Sequence, residues 1–282
     1  MINFIRKLLI LYFLLFFSKP LLAFSSSSFL ISQSAFKNHD YLAALSNFGL
    51  KEASLSKGDL LDKVISAVIT ENIDLAHKIA SKMELLDNAN QEAYIVKLAY
   101  LYSNNKFKNI KEIHQNSKYK HELVDFIFFN NQKLKDKSTI SKTLVDIVIS
   151  SFSSAEQASL NYNFLLFYVS LAKIIDNKND RATLIKGELF QNVDQIKEAE
   201  KTFKTIQSNS PYFIEAQRSL AINYSNSLSY EEAKKEIINI LQNNNNHYSI
   251  KKILADFYRV EKKFKLAISL YDEMINLRKD DL

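Results

Sequence analysis

From about residue 180 to its end, the chain can be laid over itself at a spacing of 34 residues without a gap. Gly187, Ala221 and Ala255 share one column, Phe190, Tyr224 and Tyr258 lie three residues on, and Ile196, Tyr230 and Phe264 six beyond those. The columns continue through Ala199, Ala233 and Ala267, then Phe203, Ile237 and Tyr271. Small and aromatic residues at fixed offsets predict two-helix units, each unable to bury its own apolar face, so that neighbours must stack. The small residue of the first helix allows close approach of its partner, and the aromatic three residues later lies one turn along the same face. The second small column repeats that approach on the second helix. Short polar stretches separate the helices of each pair, and Pro211 closes the first unit.

On these residues the stretch 180–282 resembles the tetratricopeptide repeat. The family's large aromatic early in the first helix is replaced by Thr183, Gln217 and Lys251. Its closing proline survives at Pro211, with Asn245 and Lys279 in the other two units. Upstream, Ser32, Tyr41, Ala44 and Phe48 fit the same offsets, then Ala67, Ile73, Ala76 and Ala80, then Leu98, Leu101, Phe107 and Ile110. Between about 116 and 179 the columns are lost, although the apolar runs Leu123–Phe129, Leu144–Ile149 and Phe164–Ile175 still suggest helices. The expected organisation is a signal peptide over 1–23, divergent repeats over 24–115, an irregular helical connector over 116–179 and three repeats over 180–282. The leader together with the repeats resembles secreted tetratricopeptide proteins of alphaproteobacteria, of which the chain would be a short member or a piece.

The resemblance implies an all-α fold in which helix-turn-helix repeats stack in a right-handed solenoid, a non-enzymatic scaffold that binds a peptide or helix on its concave face. In that family the first helix of each unit lines the groove. Carried over by register, the candidate partner-binding residues are Arg181, Glu188, Gln191 and Asn192, then Glu215, Arg218, Ile222 and Asn226, then Lys252, Asp256 and Arg259. Mixed charge along these positions suits an extended segment or a helix. Repeats that clamp a chaperone's C-terminal carboxylate carry Lys followed four residues later by Asn. The corresponding pairs here, Leu184/Glu188, Arg218/Ile222 and Lys252/Asp256, do not form that clamp.

Arg6 and Lys7 precede the apolar run Leu8–Phe17, and Ser18-Lys19-Pro20 breaks it before Leu21-Leu22-Ala23. A run this short falls below the roughly 20 residues needed to span a bilayer, so it reads as a secretory leader. The expected location is the periplasm or the exterior, with an inner-membrane anchor as the alternative if the leader stays. The chain has no cysteine, which excludes disulfides, a thiol nucleophile and an acylated N-terminal cysteine. Its net charge of +6 owes half to Arg6, Lys7 and Lys19, and the remainder is too mild to argue for nucleic acid.

Chemistry is hard to build from this composition. Three glycines cannot make a phosphate-binding loop. The five histidines are scattered, His114 and His121 forming the nearest pair without a third ligand, and no serine lies in a Gly-x-Ser-x-Gly elbow. Neither catalytic residues nor a metal or cofactor is expected. Glu198/Glu200 and Glu231/Glu232 open second helices, where the positive end of the macrodipole accounts for them. A partner protein or peptide of the cell envelope is expected, with self-association as a further possibility. A membrane-tethered assembly factor, or an accessory subunit of an envelope, polysaccharide or pilus machine, would share the same fold. The last unit has no polar helix to cover it, so its outer face is either unusually polar or a place where another chain docks.

Overall fold

The computed structural model describes residues 27–48, 55–85, 90–116, 122–130, 133–154, 160–227, 229–243 and 248–279. The expected leader, Asn244 to Asn246 and His121 lie outside these. The described residues are almost wholly helical and fall into two compact units, Met1–Asp176 and Asn177–Leu282.

The first unit opens with three helical hairpins. They pair α1 (27–37) with α2 (Tyr41–Asn47), α3 (Lys57–Ile69) with α4 (Ile73–Leu85), and α5 (Gln91–Ser103) with α6 (Phe107–Asn116). The second unit holds three more: α10 (Asp180–Asn192) with α11 (Ile196–Phe203), α12 (Phe213–Ser227) with α13 (Tyr230–Asn243), and α14 (Tyr248–Val260) with α15 (Phe264–Lys279). In both, a first helix packs on its own partner, and the partner packs on the next first helix. The seam residues are the sequence columns: Ala44, Ala76, Ala199, Ala233 and Ala267 are all buried, as are Ser32, Ala221 and Ala255.

One turn recurs inside these hairpins. His39, Glu71, Asn105, Asp194 and Lys262 each take a left-handed φ between 57° and 61°. At each, the residue's own amide bonds three residues back and the next amide five back, as with Lys262 to Arg259 and Lys263 to Tyr258. That double bond satisfies carbonyls left open at the end of the first helix. None of the five is glycine, the residue that takes this conformation without steric cost. The corresponding residue of the fifth hairpin, Leu228, is outside the described set. Lys262 is exposed, so Lys262→Gly is expected to raise stability by about 1 kcal/mol, read as a higher denaturation midpoint. A lowered midpoint would mean that the lysine side chain contributes more than its backbone costs.

The helix starts are capped by side chains. Asp40, Asn90, Asn161 and Asn179 each accept an amide of the first turn, and Ser56 with Asp59 forms a reciprocal capping box. Glu232 reaches back to the amide and hydroxyl of Ser229, which gives this carboxylate a structural role. Glu231 pairs with Lys234 at 2.9 Å.

After α6 the pattern changes. α7 (Glu122–Phe128) leads into two two-residue strands, β1 (Phe129–Asn130) and β2 (Lys133–Leu134), paired antiparallel. His114 pairs with Asp125 at 2.8 Å, stacks on Phe129 and meets the Tyr94 hydroxyl, fastening α7 to the third hairpin. α8 (Lys137–Ser154) and α9 (Tyr162–Ile175) then pack on each other, and the buried Ser141 hydroxyl donates to the Ala172 carbonyl. Helices α7, α8 and α9, drawn from the stretch read as a connector, all belong to the first unit.

α9 has a specific destination. It packs on α3 and α5, the first helices of the second and third hairpins. Leu165, Leu166, Phe167, Val169, Leu171, Ala172 and Ile175 are buried there. Polar contacts fix it at both ends. Asn163 accepts the Tyr41 hydroxyl at 2.6 Å and lies 2.9 Å from His39 Nδ1, while Lys173 pairs with Glu71 at 3.0 Å. His39 and Glu71 are themselves the left-handed turn residues of two hairpins.

Candidate binding face of the second unit

Repeat register puts all the candidate residues on α10, α12 and α14, so the face depends on how these three first helices lie side by side. α12 packs on both α10 and α14. On α10 and α12 a group of candidates converges. The Glu188 carboxyl is raised above its usual range, first by burial and then by the negative charge of Glu215, with the Arg218 guanidinium opposing both. Arg218 also pairs with Glu215 at 3.4 Å on its own helix. Two carboxylates thus share one exposed arginine.

Gln191 is part of the same face but is already engaged. Its side-chain amide donates to the Asn223 carbonyl oxygen, tying α10 to α12. Asn223 is 3 % exposed and was not among the sequence candidates. A signal was available: its column reads Leu189, Asn223, Phe257, a polar residue where the flanking repeats are apolar. One turn earlier Ser219, also buried, interrupts Ile185 and Ile253 in the same way. The middle repeat therefore carries an internal polar strip at i and i+4 that its neighbours lack.

The other candidates are not drawn into this group. Arg181 is half-buried near the start of α10, Asn192 and Asn226 are exposed at helix ends, and Ile222 stands exposed beside Asn223. On α14, Lys252 is exposed. Asp256 turns toward its own hairpin partner, accepting the Tyr271 hydroxyl of α15 at 3.1 Å and pairing with Arg259 at 3.4 Å. Placing Asp256 by column spacing alone misses this, because Tyr271 is the one member of its column with a hydroxyl to donate.

Among the described residues, no group of three or more His, Asp or Glu could hold a metal ion, and no helix is long and apolar enough to cross a membrane. In comparisons with known proteins, no family model matches the chain and no curated protein matches it.

Proposed function

We propose that this chain is a non-enzymatic scaffold of the bacterial cell envelope, a right-handed solenoid of tetratricopeptide type that holds a protein segment on the first-helix face of its second unit. The observation that carries this reading is the different fate of the two first-helix faces. In the first unit α9 already lies on α3 and α5. In the second unit the face carries exposed Arg218, Ile222 and Lys252, with Arg218 beside the carboxylates of Glu188 and Glu215. The arrangement of α9 is itself a precedent for what such a face accommodates, a helix laid across adjacent first helices. The polar face of α10, α12 and α14 suits a ligand of mixed charge, with a basic group for Glu188 and Glu215. Residues 1–23 are proposed to direct export, since a basic n-region, a short apolar run and a small-residue end make a leader.

The test uses the purified chain as bait in an envelope extract. A partner is expected to return reproducibly with the unaltered chain and to fall at least about tenfold with Arg218→Glu, which repels the acidic group of a mixed-charge ligand where the unaltered chain offers it an exposed cation. Arg218 is exposed, so the fold should survive, which circular dichroism checks. Equal recovery with Arg218→Glu and Arg259→Glu would remove this face from consideration. N-terminal sequencing after fractionation decides export: a chain that keeps Met1 in the membrane fraction is tethered.

A further inference from the structure

The last hairpin presents a seam of the kind at which α2, α4, α11 and α13 each receive the first helix of the next hairpin. Along α15, Phe264, Ile268 and Ile275 form one stripe and are 57 %, 57 % and 54 % exposed. The residues one period earlier show what this stripe is for. Tyr230, the counterpart of Phe264, packs its ring on Phe257 of the next first helix and donates its hydroxyl to the Phe257 carbonyl. Lys234, the counterpart of Ile268, pairs with Glu261 at the end of that same helix. Leu241, the counterpart of Ile275, is buried. The second helix of a hairpin thus receives the first helix of the next through these positions. On α15 these positions are more apolar than on α13.

The opposite half of the same seam stands open on α1. Aligning the hairpins on their left-handed turn residues puts Ile31 in a column with Lys63, Lys97, Lys186 and Leu254, to which the 34-residue spacing adds Leu220. That column faces the preceding second helix: Lys97 pairs with Glu84 of α4. Lys63, Leu220 and Leu254 are buried, whereas Ile31 is 51 % exposed with Leu30 exposed beside it. One open face has the positions of a second helix waiting for a first, and the other has those of a first helix waiting for a second.

We infer that copies of this chain associate head to tail, with α1 of one copy seated on the Phe264, Ile268 and Ile275 stripe of another. The contact is heterologous, so each copy retains one free face of each kind and association runs on to chains or closed rings. Exposed apolar side chains in contiguous stripes are the usual mark of such an interface.

The test measures mass against concentration by analytical ultracentrifugation of the full chain. Two variants copy residues already present in the same columns and should fold: Ile268→Lys after Lys234, and Ile31→Lys after Lys63 and Lys97. The unaltered chain is expected to grow in mass with concentration. Each variant alone should weaken association at least about tenfold, because each buries a charge without its partner. An equimolar mixture of the two variants is the decisive sample, since it retains one intact face of each kind. It should form a dimer and nothing larger. A monomeric unaltered chain overturns the inference, as does association lost in Ile268→Lys but intact in Ile31→Lys, which would mean face-to-face pairing. A mixture that stays monomeric overturns it equally.

Discussion

Phe167→Ala is expected to lower the stability of the first unit by about 3–5 kcal/mol, the range for deleting a fully buried phenylalanine ring. Phe167 is completely buried at the middle of α9, and α9 packs on α3, α5 and α8 together. The cavity would therefore open between several elements, where no single side chain can close it. The effect should also spread. In a simple stack each repeat touches its neighbours, and a defect stays local. α9 lies on two hairpins and reaches the turn residues His39 and Glu71 through Asn163 and Lys173, so it links the three hairpins of its unit. Hydrogen exchange in Phe167→Ala should rise in α3, α5, α8 and α9 alike, while α12 to α15 keep their protection. Faster exchange confined to α8 and α9 would mean that α9 rests on the hairpins without holding them.

The second large effect is a coupling. A β-carbon added at Gly187 would overlap Cε1 of Phe203 and lie 2.7 Å from its Cδ1 and Cζ. Phe203 is fully buried and cannot swing clear. Gly187→Ala gains about 1 kcal/mol of helix propensity, but contacts this short place it at the upper end of the roughly 1–3 kcal/mol that overpacking costs. The expected net result is a loss of about 1–2 kcal/mol. The next hairpin pairs Ala221 with Ile237 in the same two columns, so a smaller partner ring position is compatible with alanine. In a Phe203→Ile background, Gly187→Ala should therefore stabilise by about 1 kcal/mol, a coupling of about 2–3 kcal/mol between the two sites. Additive behaviour in the double-mutant cycle would show that the glycine is there for another reason.

Gly187 shows why the repeats were readable. Close approach of two helices requires one small and one large residue at a set offset, and the 34-residue spacing copies that requirement along the chain. Upstream, Ala44 and Ala76 are small and fully buried, whereas Ile110, equally buried, puts a large side chain in that column, and three hairpins occupy this stretch. The turns were less legible. Sequence reading looks for glycine where a helix ends in a left-handed residue, and His39, Glu71, Asn105, Asp194 and Lys262 carry no such mark.

The arrangement of the candidate residues was legible only in part. Glu188, Glu215 and Arg218 do come together across α10 and α12. Asp256 occupies the column of Glu188 and Ile222 yet bonds to Tyr271, because a side chain's direction depends on the partner it finds and not on its column. Asn223 showed itself only as a polar residue in an apolar column, and its bond to Gln191 required both helices in place.

What the amino-acid order settled by itself is the hairpin and its spacing, since helix-to-helix contact inside one unit is local and each column repeats the same demand on volume. What only the tertiary structure decided is where α9 goes. An apolar helix without a polar face has no periodicity to say which surface it seeks, and α9 begins 59 residues beyond the end of α5 and 93 beyond the end of α3, the two helices on which it packs. Contacts at that separation are chosen by shape and by a few polar ties such as Asn163 to Tyr41, neither of which a spacing rule contains.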